Sequence, residues 1–378
     1  MPEPAIGPDE LLRARLRAHR VTEPDLPDLP SVVGHFLAVQ GQELRPALWG
    51  ASRRVEPGRE PGASGAAAAL DAGEVLRTHV LRPTWHLVRP DDARWLIELT
   101  APRVRRQMAS TERAWGIGDP GPGMDCVAAE VAAGPRTRAE LRDALVARGL
   151  VAEDAPGIHV TQVLMHAELE RLVVSGPARD RQQTYAAFDD RAPAGYGPLG
   201  ERFDAEAAVV ELWRRYLPSR AYATVKDVAQ WATLTLADLR RGLQVLLDAG
   251  EAVEVPGAGR LEGLTFYRAA SVPDAGAPTG APPSGTLRVD LLQAYDELFC
   301  SYRESRDVVL EPGAEPPDRR GAYVHCIAVD GRVAGRWRWP SAGVAAGGLD
   351  VQWSREPTAA ERSALDLAAA DLASYLAT

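Results

Sequence analysis

The chain has 378 residues, room for about two to four domains, and its 46% hydrophobic and 25% charged residues are the balance of a folded protein rather than a disordered one. A formal net charge of −9 argues against a generally basic nucleic-acid protein, yet of 43 basic residues all but Lys226 are arginine, the better bidentate ligand for phosphate and carboxylate. Cys126, Cys300 and Cys326 are widely spaced without a CxxC pair, which argues against a disulfide framework or zinc site. The N-terminus has no apolar signal core and no window approaches a membrane span, so a reducing cytoplasm is expected.

In chain order, "DELLRARLRAHR", "SVVGHFLAVQGQELRPALWGASRRV" and "GAAAALDAGEV" read as three helices, followed by the paired extended runs "LRTHVLR" and "TWHLVRP". Within the second helix Val33, Phe36, Leu37, Gln40, Leu44, Ala47 and Leu48 follow i, i+3/i+4 spacing, which puts Gln40 on the inward stripe. Gln42 would point roughly 200° away on a regular helix. The two amides can meet only if the helix breaks near Gly41. Otherwise Gln40 is a buried amide satisfied by its neighbours and Gln42 is solvated surface; the adjacent Glu43 reads either as a base or as an ordinary surface helix charge. In "LRPTWHLV", strand alternation places Arg82, Thr84 and His86 on one face, either as a functional group or as internally bonded strand residues.

A second unit repeats the plan. "MDCVAAEVAAG" and "IHVTQVLMHAELERL" flank "TRAELRDALVARG", which has capping-box spacing from Thr137 to Glu140, and "LVVSGPARDRQQTYAAF" supplies a hairpin. A third repeats it again: "DAEAAVVELWRRYL", "TVKDVAQWA" behind Thr224, "TLADLRRGLQVLLDAG" from Thr235 to Gly250, then paired runs in "EAVEVPGAGRLEGLTFYRAA". Three helices closed by a hairpin is the plan of a winged helix-turn-helix. After a Pro/Gly-rich linker, 273–285, the runs "RDVVL", "AYVHCIAVDGRVAGRWRW" and "LDVQW" read as antiparallel strands. Asp330-Gly331 is the turn between two of them, and an Ala-rich helix ends the chain. The expected fold is mainly α with β-hairpin wings (α+β). Three tandem winged helix-turn-helix modules, 1–120, 121–200 and 201–272, precede a small β-rich or barrel-like domain, 286–378.

Several residue types point to chemistry. Arg53, Arg54, Arg103, Arg105 and Arg106 are candidate phosphate contacts, against ordinary solvated arginines. Trp49, Trp85, Trp95 and Trp115 could stack on bases, although tryptophan at helical or strand period is more often core. The seven histidines form no HxxxH or HExxH pair, so no metal is expected, and no P-loop, GxGxxG or GxSxG motif points to a cofactor.

The run "FLAVQGQELRPALWGASRR", followed some way on by "VLRTHVLRPTWHLVRPDDARWLIEL", resembles the AlkZ/YcaQ family of DNA glycosylases. The later blocks "RRYLPSRAYATVKDVAQWATLTLADLRRGLQVL", "LLQAYDELFCSYRESRDVVL" and "VDGRVAGRWRW" are similar to that family's in the same order. "SRAYAT" departs from the Gly-Pro turn common there. The resemblance implies tandem winged helices forming a DNA-binding surface and hydrolytic release of alkylated purines, crosslinked ones included. It maps a catalytic QxQ pair onto Gln40 and Gln42, with Arg82, Thr84 and His86 as supporting residues; His35 and Arg45 are further candidates for supporting or substrate-binding roles. The implied partner is double-stranded DNA carrying alkylated purines, met by a monomer without a cofactor. A non-catalytic winged-helix regulator or lesion sensor is the alternative. The acidic pair Asp296 and Glu297, with Tyr302 and Arg303, reads mainly as an anchor for the last domain.

Neutral glutamines suit such a substrate. Glycoside hydrolysis ordinarily needs a carboxylic acid to protonate the leaving group. An N7- or N3-alkylated purine already carries positive charge and departs without one. What remains is to aim a water at C1′ and to stabilise an oxocarbenium-like transition state, which amide oxygens can do.

Overall fold

Pro8 in the first turn, with Asp9 and Glu10 beside the positive end of the helix dipole, starts α1 (Pro8–Ala18). Asp28 caps α2 (Leu29–Phe36) by accepting the Ser31 N–H at 2.8 Å. There the helical period fails. Leu37 adopts φ +67°, Ala38–Gln40 form a short strand, β1, and α3 (Leu44–Ser52) begins only after Glu43. The single helix expected across this stretch is therefore two helices joined by an extended run. The apolar stripe misleads because Phe36 to Gln40 are all buried, and a fully buried run carries no period of its own.

Next come α4 (Ala63–Ala72), the hairpin β2 (Leu76–His79) and β3 (Trp85–Val88) with Thr78 opposite His86, and the long α5 (Pro90–Trp115), stopped by left-handed Gly116. Residues 121–191 follow the order expected from sequence: α6 (Gly121–Ala132), β4 (Arg136–Thr137), α7 (Arg138–Ala147), α8 (Gly157–Leu169), β5 (Val173–Arg179), β6 (Gln182–Ala187) and the short α9 (Phe188–Arg191). The sheet order is β4-β6-β5, and the Thr137–Glu140 capping box is formed. Val127, Leu141, Leu145, Val160, Leu164 and Val173 make its core.

The plan recurs in α10 (Ala205–Arg220), α11 (Val225–Ala232), α12 (Leu236–Asp248), β7 (Ala252–Pro256) and β8 (Thr265–Ala269). Thr224 and Asp227 exchange backbone and side-chain bonds ahead of α11, and Thr235 caps α12 through the Asp238 N–H. The remaining elements are β9 (Val289–Leu292), α13 (Glu297–Cys300), β10 (Cys326–Val329), β11 (Arg332–Trp337), β12 (Val351–Trp353) and α14 (Ala359–Ala377).

The structure, a computed structural model, describes residues 3–192, 199, 203–272, 287–311, 324–340 and 348–378, so the linker 273–285 lies outside the described residues. Asp330 and Gly331 both take positive φ, +48° and +82°, as the expected two-residue hairpin turn requires. Two expectations need correction. "RDVVL" is not a strand: Arg306–Val309 form a 3-10 turn, held where Arg306 Nε donates to the Phe299 and Tyr302 carbonyls. Among the described residues the terminal sheet is open, in the order β12-β11-β10-β9, with no barrel closure. Leu365, Ala368, Leu372 and Tyr375 of α14 share a core cluster with Leu291, Ile327 and Trp337 of that sheet.

The chain divides into two compact units. One comprises Met1–Ala66, Val210–Trp231 and Thr235–Thr378; the other comprises Ala67–Val209 and Ala232–Leu234. Segment 1–120 thus contributes to both, and 286–378 shares a unit with the N-terminus. The first unit's core explains why: Ile6, Leu11 and Leu16 pack with Phe266, Leu298, Val308 and Ala328, residues far apart in sequence. Among the described residues no helix is long and apolar enough to cross a membrane.

Candidate active site

The two glutamines lie in the first unit at the break between α2 and α3. Gln40 ends β1 and is only 2% exposed. Gln42 is half-buried, with its side-chain oxygen shielded from solvent. β1 ends at Gln40 and Gln42 lies in a bend ahead of α3, so the continuous helix that would point the two amides apart is absent. Glu43 immediately precedes α3, exposed, with its carboxylate 3.2 Å from His325 Nε2, and Arg45 is exposed on the first turn. His35, on α2, donates from Nε2 to the Ala18 carbonyl at 2.8 Å. Burial lowers its pKa to about 4, helped by the positive charge of Arg20 and Arg220, and the ring is neutral at physiological pH.

Behind this segment lies a buried polar network that the sequence reading missed in extent. The Gln40 N–H donates to Glu297 Oε1 at 2.8 Å. Glu297 Oε2 accepts from Arg220 Nη2 at 3.0 Å, Trp231 Nε1 at 3.1 Å and Ser301 Oγ at 2.6 Å. Arg220 also donates from Nη1 to the Phe36 carbonyl at 2.7 Å. The Tyr302 hydroxyl donates to the Arg220 carbonyl and accepts from His19 Nε2, a ring that burial keeps neutral. The neighbouring Asp296 takes both its oxygens to Arg54 Nη2, at 2.7 and 3.0 Å. Asp296 and Glu297 therefore do anchor the late segment, and what Glu297 holds is the glutamine loop. Only "DE" was visible as a signal; Arg220 had none.

Arg82, Thr84 and His86 belong to the second unit. Only His86 is on a strand. Arg82 and Thr84 occupy the turn between β2 and β3, where Leu81 takes φ +65°, so strand alternation is not what groups them. Hydrogen bonds do: His86 Nδ1 donates to the Thr84 carbonyl at 3.0 Å, leaving Nε2 to face Arg82 Nη2 at 3.4 Å. Complete burial, reinforced by the Arg82 charge, pushes the His86 pKa well below its usual value, which fixes it as a neutral acceptor.

The arginine candidates separate. Arg54 is 5% exposed and donates to both Asp296 oxygens and to the Gly50 and His19 carbonyls, so its charge is matched inside the fold. Arg53 shares the buried Asp290 with Arg288. Burial alone would raise that carboxyl's pKa, and the two guanidinium groups bring it below the ordinary range. On α5, Arg103 Nε donates to the Thr233 carbonyl and Arg105 pairs with Glu170, while Arg106 is exposed. Trp49 and Trp95 are core, Trp85 is half-buried between His79 and Arg77, and Trp115 is 52% exposed at the end of α5.

A family model described as "DNA glycosylase AlkZ-like" matches residues 33–375. No curated protein matches the chain. Among solved structures, the Streptomyces sahachiroi DNA glycosylase AlkZ aligns over 99% of this chain and 98% of its own, with a TM-score of 0.76 and 21% sequence identity.

Proposed function

Because this chain belongs to the AlkZ-like family of DNA glycosylases, we propose that it hydrolyses the N-glycosidic bond of cationic N-alkylated purines in duplex DNA. The helix–helix–helix–hairpin units act as winged helices on the duplex, and the enzyme works as a cytoplasmic monomer. Gln40 and Gln42 hold a water against C1′. As the C1′–N9 bond breaks, its electron pair neutralises the alkylated purine. The water oxygen bonds to C1′ and its proton leaves to solvent, which yields an abasic site. His35 and Arg45 support this site, Arg82, Thr84 and His86 of the second unit bind substrate, and Arg53, Arg103, Arg105 and Arg106 contact phosphate.

The observation that carries this reading is the break at Leu37. It takes Gln40 and Gln42 off a helix that would have pointed them apart and sets them at the end of β1 and in the partly buried bend that follows. Two neutral amides there favour a lesion that needs no acid, whether a simple methyl adduct or a bulky, crosslinked one met in repair or self-resistance. A crosslinked base cannot swing freely out of the duplex, so a shallow site serves it better than a deep pocket.

The test is a duplex bearing one 7-methylguanine, incubated with the protein and treated with alkali, beside a duplex bearing neutral hypoxanthine. Strand breaks at 7-methylguanine alone are expected. Equal cleavage at both would contradict selection by leaving group, and binding without breaks would favour a lesion sensor.

A further inference from the structure

Leu37 is a buried non-glycine residue at φ +67°, ψ −42°, outside the favoured regions for a branched side chain. Such a turn persists only when its surroundings hold it, and here they hold it from both sides. On one side Arg220 Nη1 donates to the Phe36 carbonyl; on the other Glu297 Oε1 accepts the Gln40 N–H. Arg220 and Glu297 in turn bond to each other, 0% and 2% exposed, so the two clamps are one rigid object. Phe36, Tyr216 and Trp231 surround the guanidinium, their ring centres 4.9, 4.7 and 4.8 Å away.

We infer that Glu297 is the positioning residue of the glutamine pair: its carboxylate fixes the backbone at Gln40 and so sets where both amides stand. This rests on the catalytic reading of Gln40 and Gln42 proposed above. Three donors, from Arg220, Trp231 and Ser301, meet at Oε2, and the Gln40 N–H meets Oε1. A side chain that only joined the late segment to α10 and α11 would use Oε2 alone, through Arg220 and Trp231, beside the local Ser301 bond. Oε1 reaches the glutamine. Glu297 touches neither water nor sugar in this scheme and acts through the loop.

Glu297→Asp separates the two roles. The shorter acid keeps the charge that balances Arg220 but cannot span to the Gln40 N–H as well. Three readouts apply to the full chain: amide hydrogen exchange over residues 37–43, the dissociation constant for 7-methylguanine duplex, and the single-turnover excision rate. Exchange over 37–43 should quicken at least tenfold while β9, α10 and α13 keep their protection. Excision should fall about 30-fold with DNA binding changed less than threefold, and Glu297→Gln should not restore it, because its amide nitrogen cannot accept from Arg220, Trp231 and Ser301. Unchanged exchange at 37–43, or loosening spread evenly over β9, α10 and α13, would overturn the inference, as would undiminished excision. Should the wild-type protein release no 7-methylguanine, the catalytic reading falls by that result, and the exchange measurement still decides whether Glu297 holds the loop.

Discussion

The Gln40 N–H is engaged by the Glu297 carboxylate, and a division between structural and functional duty separates the other candidate residues. Arg54 and Arg106 both qualified as phosphate contacts by residue type. Burial separates them. Removing Arg54 strands Asp296 without its cation, and Arg54→Met should destabilise the fold by about 3–5 kcal/mol. A lowered midpoint in chemical denaturation checks this; an unchanged midpoint with weakened DNA binding would return Arg54 to the duplex. Arg106→Gln should leave stability intact and reduce the slope of log affinity against log salt by about 1, read from binding titrations. His35 supplies a pH signature. Unfolded, its imidazole takes a proton near 6.5; folded, it resists until about 4. Its contribution to stability is complete above pH 6.5 and is lost as pH falls through 4. His35→Gln keeps a donor for the Ala18 carbonyl without the titration, so its thermal midpoint should fall less steeply over that range than the wild type's. His19 and His86, also held neutral by burial, act equally in both proteins, and parallel curves would contradict the assignment.

Elements were legible in proportion to how local their causes are. The Thr137–Glu140 capping box, the Thr235 cap and the Asp330-Gly331 turn each depend on residues within a few positions, and all three formed as expected. Thr137→Ala should therefore cost about 1 kcal/mol in an equilibrium melt, and no measurable loss would show the box to be idle. The stretch from Phe36 to Leu44 failed the same reading because its break is imposed from residues more than 180 positions away. Neither Arg220 on the Phe36 carbonyl nor Glu297 on the Gln40 amide leaves a trace in local spacing. "RDVVL" failed likewise, its turn set by a guanidinium folding back on Phe299 and Tyr302.

For the whole molecule, the repeated three-helix plan could be read from sequence, but not the way distant segments share one core. Ile6, Leu11 and Leu16 depend on Leu298, Val308 and Ala328 to complete their burial. A chain ending at Val272 should accordingly lose cooperative unfolding, as followed by circular dichroism; a sharp melt would mean that 286–378 is a dispensable separate domain. The family accounts for DNA as the substrate of an acidic chain, and the proposed chemistry rests on the glutamine pair. Its most direct measurement is the single-turnover release of 7-methylguanine from duplex DNA by the wild type, Gln40→Ala, Gln42→Ala and the double variant, at saturating protein. Each single variant is predicted to lose at least about 100-fold in rate, roughly one oxyanion-hole donor's worth, with affinity nearly unchanged. A double variant that releases the base at the wild-type rate would contradict it.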